Sequence, residues 1–413
     1  MFDNTNSTER RDATDNALAE SLPPQGYGRE FLHPTLEPSA FEVRRADRRE
    51  SVRLDEMVPR LMHSPDLDQL LRTDEQQYRS LMERLRLRIA AAFNDRDEDA
   101  LTEMHRVLFF LYEQHFADPA SPEAVNQFHP LLIRIRNDIE RAWLASEASR
   151  ARSVDGPSPA TPEAFASAFK EICFNHPLAR HPLFDFLEHQ AQREQMVAFF
   201  RSDSALILRF CDLISTAMVG ADDVIRAELA VNLWDEMGNG DAALRHTTLF
   251  RRFLAYIGAD DDLLSPEASG RHMNWQALAG YNLHLCLSLH RSHYFKYVGC
   301  LGSSELMDAP QYAKLLRGLR RIGLNDEEQL AYYANHVTID AAHGQDWLDK
   351  VLVPLVAKSP KLRDDIILGA KMRLNVTHDY FTSVLQNLST QNRTDRRGAA
   401  ADTELYAALE LAP

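Results

Sequence analysis

The chain has 413 residues and a formal net charge of −15 at pH 7, with 16 glycines and 19 prolines. This length allows one large helical domain and a smaller one, and the scarcity of glycine and proline favours an all-α protein. The negative charge argues against a general nucleic-acid or anionic-membrane partner, because such surfaces attract concentrated positive charge. The four cysteines show no CxxC spacing, so we expect reduced thiols in the core.

Residues 1–50 are polar and lack sustained periodicity, so we expect a disordered or extended arm there. The first residues show no basic stretch followed by an apolar run. No uninterrupted apolar segment of about 18 residues, the length that spans a bilayer, occurs in the sequence. We therefore expect no secretory signal and no membrane span, and a cytoplasmic location.

Residues 51–150 are expected to form an N-terminal helical accessory unit. Apolar residues recur at helical spacing from about Asp66 to Phe93, from about Leu101 to Tyr112 and from about Leu131 to Ala148. Residues 151–162 then combine three prolines with a glycine. Because proline removes helix donors and glycine adds backbone freedom, this stretch predicts a linker and a domain boundary.

Residues 163–390 are expected to form the main helical domain, after which residues 391–413 form a tail with at most one weak helical turn. A short helix over 165–174 is followed by a long amphipathic helix over 193–218. A turn at Gly220 leads into a helix that Asp222 and Asp223 open and that runs towards Glu236. Further helices are predicted around 246–254 and at 275–298, 309–319, 326–343, 345–356 and 362–388. No repeat or strand alternation is found.

The helix predicted over 326–343 carries three potential metal ligands. At about 100° per residue, His336, Asp340 and His343 fall within a sector of roughly 60° on one helix face. Two imidazoles and a carboxylate are a ligand set that iron(II) oxygen chemistry favours, because they hold the metal and leave other positions open. The pattern therefore predicts a metal-binding helix edge.

The helical hairpin supplies an opposing pair of carboxylates. Asp203 lies seventeen residues before Gly220 and Glu236 sixteen after it, so antiparallel helices should bring both to nearly the same depth. The competing pair, Asp212 and Glu228, lies about 12 Å nearer the loop.

We favour the deeper pair because His246 follows Glu236 by ten residues, across a break at Gly238 and Gly240. Glycine lets the chain change direction and bring His246 to the same centre. Three carboxylates and three histidines suit a pair of iron ions in a helical scaffold. The predicted ligands are Asp203, Glu236, His246, His336, Asp340 and His343.

Other candidate residues carry a weaker signal. His284, His290 and His293 crowd one predicted helix and are interpreted as packing or surface residues, with pocket lining as the alternative. Trp347, one turn after His343, is interpreted as a core aromatic that could shield the site.

These motifs resemble the iron-containing redox enzymes of the heme-oxygenase-like fold. The resemblance rests on five stretches of sequence and one further residue: Phe199–Asp203, Arg209–Leu213, Glu228–Ala230, Asn232–Gly240 with His246, and the run HVTIDAAH from His336 to His343. That run is similar to the HxxxDxxH motif on the third core helix of the diiron oxidase and oxygenase branch. The resemblance covers about residues 165–390 and implies a heme-oxygenase-like helical bundle. The family pattern commonly has glutamate where this chain has Asp203, so the carboxylate here is one methylene shorter.

The resemblance also implies a function. It predicts two Fe(2+) ions per chain, dioxygen as co-substrate, an external electron donor and a small-molecule, amino-acid-like substrate. The N-terminal unit is similar in layout to the accessory helices of N-oxygenases of nitrosourea and N-nitroso-type biosynthesis, which implies a homodimer. The expected reaction is N-oxygenation of an amino acid or a derived metabolite. Two alternatives are oxidative C–C cleavage or desaturation of a fatty acid or amino acid, and a helical interaction protein with a vestigial metal site.

Overall fold

The structure is a computed structural model that describes residues 52–69, 75–152, 161–259 and 266–409, without the side chains of 266–268, 338–342 and 391–409. Within these ranges the regular elements are all helical, which confirms the all-α prediction. The predicted N-terminal arm and most of the predicted linker lie outside the described residues. None of the described helices combines the length and apolar character needed to cross a bilayer.

The N-terminal part forms helices close to the predicted positions. They are α1 (Leu54–Met62), α2 (Glu75–Phe93), α3 (Glu98–Glu113) and α4 (Pro130–Arg152). The side chain of Asp97 accepts a hydrogen bond from Ala100 N and so caps α3 at the predicted turn. The short helix α1 was not predicted, because it is nine residues long and contains Pro59.

The main domain begins with helices that include the predicted hairpin. These are α5 (Pro162–Asn175), α6 (Leu183–His189), α7 (Arg193–Met218), α8 (Asp223–Glu236) and α9 (His246–Ile257). The limits of α7 are those predicted. Asp222 accepts a hydrogen bond from Val224 N at the start of α8, as expected for a cap.

The remaining helices complete the bundle. They are α10 (Pro266–His272), α11 (Trp275–Leu289), α12 (Tyr294–Met307), α13 (Ala309–Arg321), α14 (Ala331–Asp346), a π-helical segment (Trp347–Leu352), α15 (Val353–Lys358) and α16 (Arg363–Leu409). The single helix predicted over 275–298 is wrong, because His290 is extended and a 3₁₀ turn follows it. Helices α11 and α12 are buried on most faces, so their apolar pattern runs through the break without revealing it.

Two further boundaries differ from the prediction. The helix that carries His336 does not end at His343 but continues through Asp346 into the π-helical segment. Helix α16 does not end near Leu388 but reaches Leu409, so the expected non-helical tail is wrong as far as that residue. Residues 391–409 are rich in alanine and contain no proline, which sustains a helix even without an apolar stripe.

The N-terminal helices pack on the main domain. Helix α3 lies against α11, and α4 lies against α16. Arg209 of α7 forms an ion pair of 2.6 Å with the buried Glu113 of α3, and Asn282 donates to the carbonyl of His105 across 2.8 Å. All described residues belong to one compact unit. The boundary at the linker, and homodimerisation through these helices, stay predictions.

Close helix contacts hold the centre of the bundle. A Cβ at Gly299 of α12 would lie 1.8 Å from the carbonyl oxygen of Ile366, so α12 and α16 touch backbone to backbone. A Cβ at Gly344 of α14 would lie 2.6 Å from the carbonyl oxygen of Glu305. Helix α12 therefore presses directly against α14, the helix that carries the predicted ligand run.

Candidate metal centre

Three of the six predicted ligands form one buried cluster. Glu236 ends α8, His246 begins α9, and His336 lies within α14. One potential ligand atom from each lies within 4.8 Å of the others. Their exposed fractions are 7%, 4% and 7%, so bulk water has little access to them.

The connection between α8 and α9 explains how Glu236 and His246 meet. Gly238, Asn239 and Gly240 all have positive φ, at 65°, 54° and 90°, which turns the chain sharply after α8. A Cβ at Gly238 would lie 2.5 Å from the carbonyl carbon of Leu244, so the returning chain leaves no room for a side chain there. His246 Nδ1 consequently lies 2.9 Å from Glu236 Oε1.

His336 is oriented by its own helix. Its Nδ1 lies 2.7 Å from the carbonyl oxygen of Tyr332, an acceptor, so Nδ1 carries the proton. The other nitrogen, Nε2, lies 3.9 Å from Glu236 Oε1 and keeps its lone pair. This arrangement is typical of metal-binding histidines, in which a hydrogen bond fixes the tautomer and ring orientation.

Electrostatics keep Glu236 ionised. Burial alone opposes the charged form, but the hydrogen bond from His246 and the nearby ring of His336 outweigh it and lower the pKa of Glu236 to about 2. The centre therefore presents a carboxylate and two imidazoles as oxygen and nitrogen donors.

His343 lies near this cluster but not within it. Its Nε2 is 3.1 Å from Asp235 Oδ2, and its Nδ1 is 3.8 Å from Glu305 Oε2. The side chain also lines the cavity that reaches Glu236. Asp340 lies in α14 between His336 and His343, and its side chain is outside the described residues.

Asp203 lines the same cavity but does not belong to the three-residue cluster. The thiol of Cys211 instead donates to Glu236 Oε2 across 3.9 Å. Cys211 and Asp203 are eight residues apart in α7, about 12 Å along the helix axis. The equal-depth pairing of Asp203 with Glu236 is therefore wrong, because counting residues from the turn does not fix how two helices slide against each other.

Sequence reasoning missed Glu305. It is only 8% exposed, lies beside His343 and lines the cavity. Burial, with Asp308 and Glu236 nearby, raises the pKa of Glu305 to about 8. The available signal was a carboxylate within the otherwise uncharged run from Val298 to Met307. A single such residue has no periodic signature.

The cavity has a volume of about 170 Å³, a largely apolar lining and a group of charged and polar side chains from α7, the end of α12 and α16 in its wall. That wall includes Asp203, Asp308, Arg373 and Tyr380. His284 also lines it, which supports the pocket alternative for this residue over simple packing. Trp347 is 2% exposed and donates to the carbonyl of Val298 across 3.1 Å, so it packs in the core just after the end of α14.

A second group of potential donors lies between the N-terminal helices and α11. Glu140, Cys286 and His290 have ligand atoms within 4.8 Å of one another. Glu140 already accepts a hydrogen bond from Tyr112 at 2.7 Å and pairs with His290 at 2.9 Å. This group is a satisfied polar network that joins α3, α4 and α11.

Comparison with known proteins points to iron. Residues 197–378, which contain all six predicted ligands, match a protein family described as iron-containing redox enzyme. This match and the helical structure confirm the predicted heme-oxygenase-like fold class. The chain is also similar to a nitrosourea synthase from Streptomyces achromogenes subsp. streptozoticus, with 33% identity over 129 residues. That similarity covers 30% of this chain and spans only 25% of the length of the relative.

Proposed function

From the match of residues 197–378 to a family of iron-containing redox enzymes, we infer that this protein is a nonheme diiron oxygenase. We propose that it uses dioxygen to oxidise a nitrogen of an amino acid or an amino-acid-derived metabolite in natural-product biosynthesis. The observation that carries the proposal is the buried cluster of Glu236, His246 and His336 beside a cavity that also contains charged side chains. The similarity to a nitrosourea synthase supports nitrogen as the oxidised atom.

The donor set fits iron. Imidazole nitrogens and carboxylate oxygens suit Fe(2+), and the fixed tautomer of His336 leaves Nε2 facing Glu236 with a free lone pair. We propose that Glu236, His246 and His336 hold one ion.

We assign the second ion to His343, with Asp340 as the further predicted ligand. Glu305 lies 3.8 Å from His343 and adds a carboxylate that the sequence did not reveal. A buried, protonated Glu305 would ionise on binding a cation, because the positive charge compensates the cost of its burial.

When bound, the ferrous ions supply the electrons and open coordination positions that dioxygen activation requires, with an external donor restoring the ferrous state. The chain contributes orientation and exclusion of water. The carbonyl of Tyr332 fixes the ring of His336, and Asp235 fixes the ring of His343. The rings of Tyr332 and Tyr312 lie 4.3 and 5.6 Å from the His336 ring and wall off that side of the centre.

The character of the cavity favours an amino-acid-like substrate over a fatty acid. Much of the cavity lining is apolar, but Asp203, Asp308 and Arg373 also lie in its wall. A hydrocarbon chain would leave these charged groups without a partner, whereas an amino acid carries charged groups that can pair with them.

Anaerobic titration of the purified apoprotein with ferrous ion tests the metal assignment. We expect two ions per chain, and a loss of binding in Glu236→Gln and His336→Ala. His189→Ala is the matched control, since its side chain is 66% exposed and distant in sequence from the centre. Binding of fewer than about one ion per chain would contradict the enzymatic proposal.

The reaction is tested by exposing the ferrous protein to ¹⁸O₂ with a panel of amino acids and fatty acids. We expect ¹⁸O on a nitrogen of an amino-acid product, detected by mass spectrometry. Label on carbon, or turnover of fatty acids alone, would show that the reaction type is different.

A further inference from the structure

We propose that Asp203 anchors a cationic nitrogen group of the substrate, an amine or a guanidine, and is not a metal ligand. This inference rests on the proposed oxygenase function and names the chemical class of its substrate. It replaces the metal role that the sequence predicted for Asp203.

The position of Asp203 separates it from the metal donors. Asp203 and Glu236 line the same cavity, but Asp203 is not among the residues whose donor atoms cluster with those of Glu236. Cys211, not Asp203, contacts Glu236 from α7.

Asp203 lacks the positive partner that the other cavity carboxylates have. Arg373 donates to Asp308 across 2.8 Å, His246 pairs with Glu236, and His343 lies beside Glu305. Within the described parts of the chain, no lysine, arginine or histidine forms an ion pair with Asp203. Its charge is left for a group that enters the cavity.

Because Asp203 is largely buried, leaving its charge without a partner costs free energy. A carboxylate removed from water is destabilised unless a cation or several hydrogen bonds compensate it. The neighbouring Tyr380, whose hydroxyl contacts Ser202 at 2.8 Å, is uncharged and does not neutralise the carboxylate. Asp203 keeps part of its surface accessible although it lies deep in the protein, because it faces the cavity.

An ammonium or guanidinium group fits this position. It carries several N–H donors, so it can bind the Asp203 carboxylate through more than one hydrogen bond.

The test compares ligands that differ only in this charge. Binding of L-lysine against L-norleucine, and of L-arginine against L-citrulline, is measured by calorimetry on the full-length ferrous protein without oxygen. In the wild type we expect the cationic member of at least one pair to bind about 30-fold more tightly, as for a buried charge pair. Asp203→Asn should abolish this preference, and Asp203→Glu should restore part of it.

Asp223→Asn is the matched control, because Asp223 lies on the hairpin with its side chain 98% exposed. It should bind as the wild type does. Equal binding within both pairs, no binding of either cationic probe, or an unchanged preference in Asp203→Asn would overturn the proposal. Loss of ferrous ion in Asp203→Asn would also overturn it, because that result assigns Asp203 to the metal centre. Because binding is measured without oxygen, the result can be interpreted even if the protein does not carry out the proposed oxygenase reaction.

Discussion

His246 Nδ1 lies 2.9 Å from Glu236 Oε1, although ten residues and a break between two helices separate them. The break depends on Gly238, whose φ of +65° and contact with the carbonyl of Leu244 both exclude a side chain. We expect Gly238→Ala to lower the free energy of unfolding by about 3 kcal/mol, since strain and overpacking add. It should also weaken ferrous binding at least tenfold, measured by anaerobic titration.

The control for this prediction is Gly258→Ala. Gly258 also has positive φ, at +81°, but a Cβ there would meet nothing within 4 Å. We expect it to cost only about 1 kcal/mol from backbone strain, with ferrous binding unchanged. Equal effects of the two substitutions on metal binding would show that the turn does not position His246.

The elements that the sequence predicted well are those with local signals. The hairpin of α7 and α8 follows from apolar spacing and from the cap at Asp222, and the break at Gly238 follows from glycine chemistry. The neighbourhood of Asp203 could not be predicted in the same way. Which residues of α7 face Glu236 depends on how side chains interlock between helices, and residue counting from Gly220 does not contain that information.

The sequence offered two candidate carboxylates on α8, one in each of the competing pairs, and they can be compared directly. Glu236 and Glu228 lie on the same helix, but Glu236 contacts two histidines while Glu228 lies 3.7 Å from the ammonium group of Lys350. Glu236→Gln removes the charge that balances a bound cation, so we expect ferrous affinity to fall by at least tenfold.

Glu228→Gln should leave ferrous affinity as in the wild type. Both variants should keep the helix content of the wild type in circular dichroism, since neither residue caps a helix. If Glu228→Gln loses the metal and Glu236→Gln keeps it, the metal centre lies at the pair of Asp212 and Glu228, nearer the hairpin turn.

Helix packing beyond the metal centre should also affect it. Trp347 begins the π-helical segment that follows His343, and a Cβ at Gly302 would lie 2.6 Å from its Cδ1 atom. We expect Gly302→Ala to lower the free energy of unfolding by about 1–3 kcal/mol through overpacking. Because the displaced segment continues the helix of His343, occupancy of the second ferrous ion should fall more than that of the first.

Gly280→Ala is the comparison for stability, because it lies within α11 and a Cβ there meets nothing within 4 Å. It should be neutral or stabilise the protein by up to about 1 kcal/mol, since alanine has the higher helix propensity. If urea unfolding shows that Gly280→Ala destabilises the protein as much as Gly302→Ala does, overpacking against Trp347 is not the cause of the effect of Gly302→Ala.

Acid should destabilise the protein through His105, which joins α3 to the main domain. Its ring is 1% exposed and lies 5.0 Å from the ring of Trp143, and burial, with a smaller effect of Arg96, lowers the pKa of His105 to about 3. The unfolded chain binds a proton near pH 6.5, so between pH 6.5 and pH 3 it holds more protons than the folded chain. Stability therefore falls as pH falls through this window, by about 2 kcal/mol between pH 7 and pH 5 from this residue alone.

Urea unfolding of the metal-free protein at pH 7 and pH 5 tests this prediction. His105→Gln should reduce the difference in unfolding free energy between the two pH values by about 2 kcal/mol, whatever the substitution itself costs in stability. His189→Gln, at an exposed histidine, should leave the difference unchanged. An equal pH dependence in wild type and His105→Gln would contradict a buried neutral imidazole at this junction.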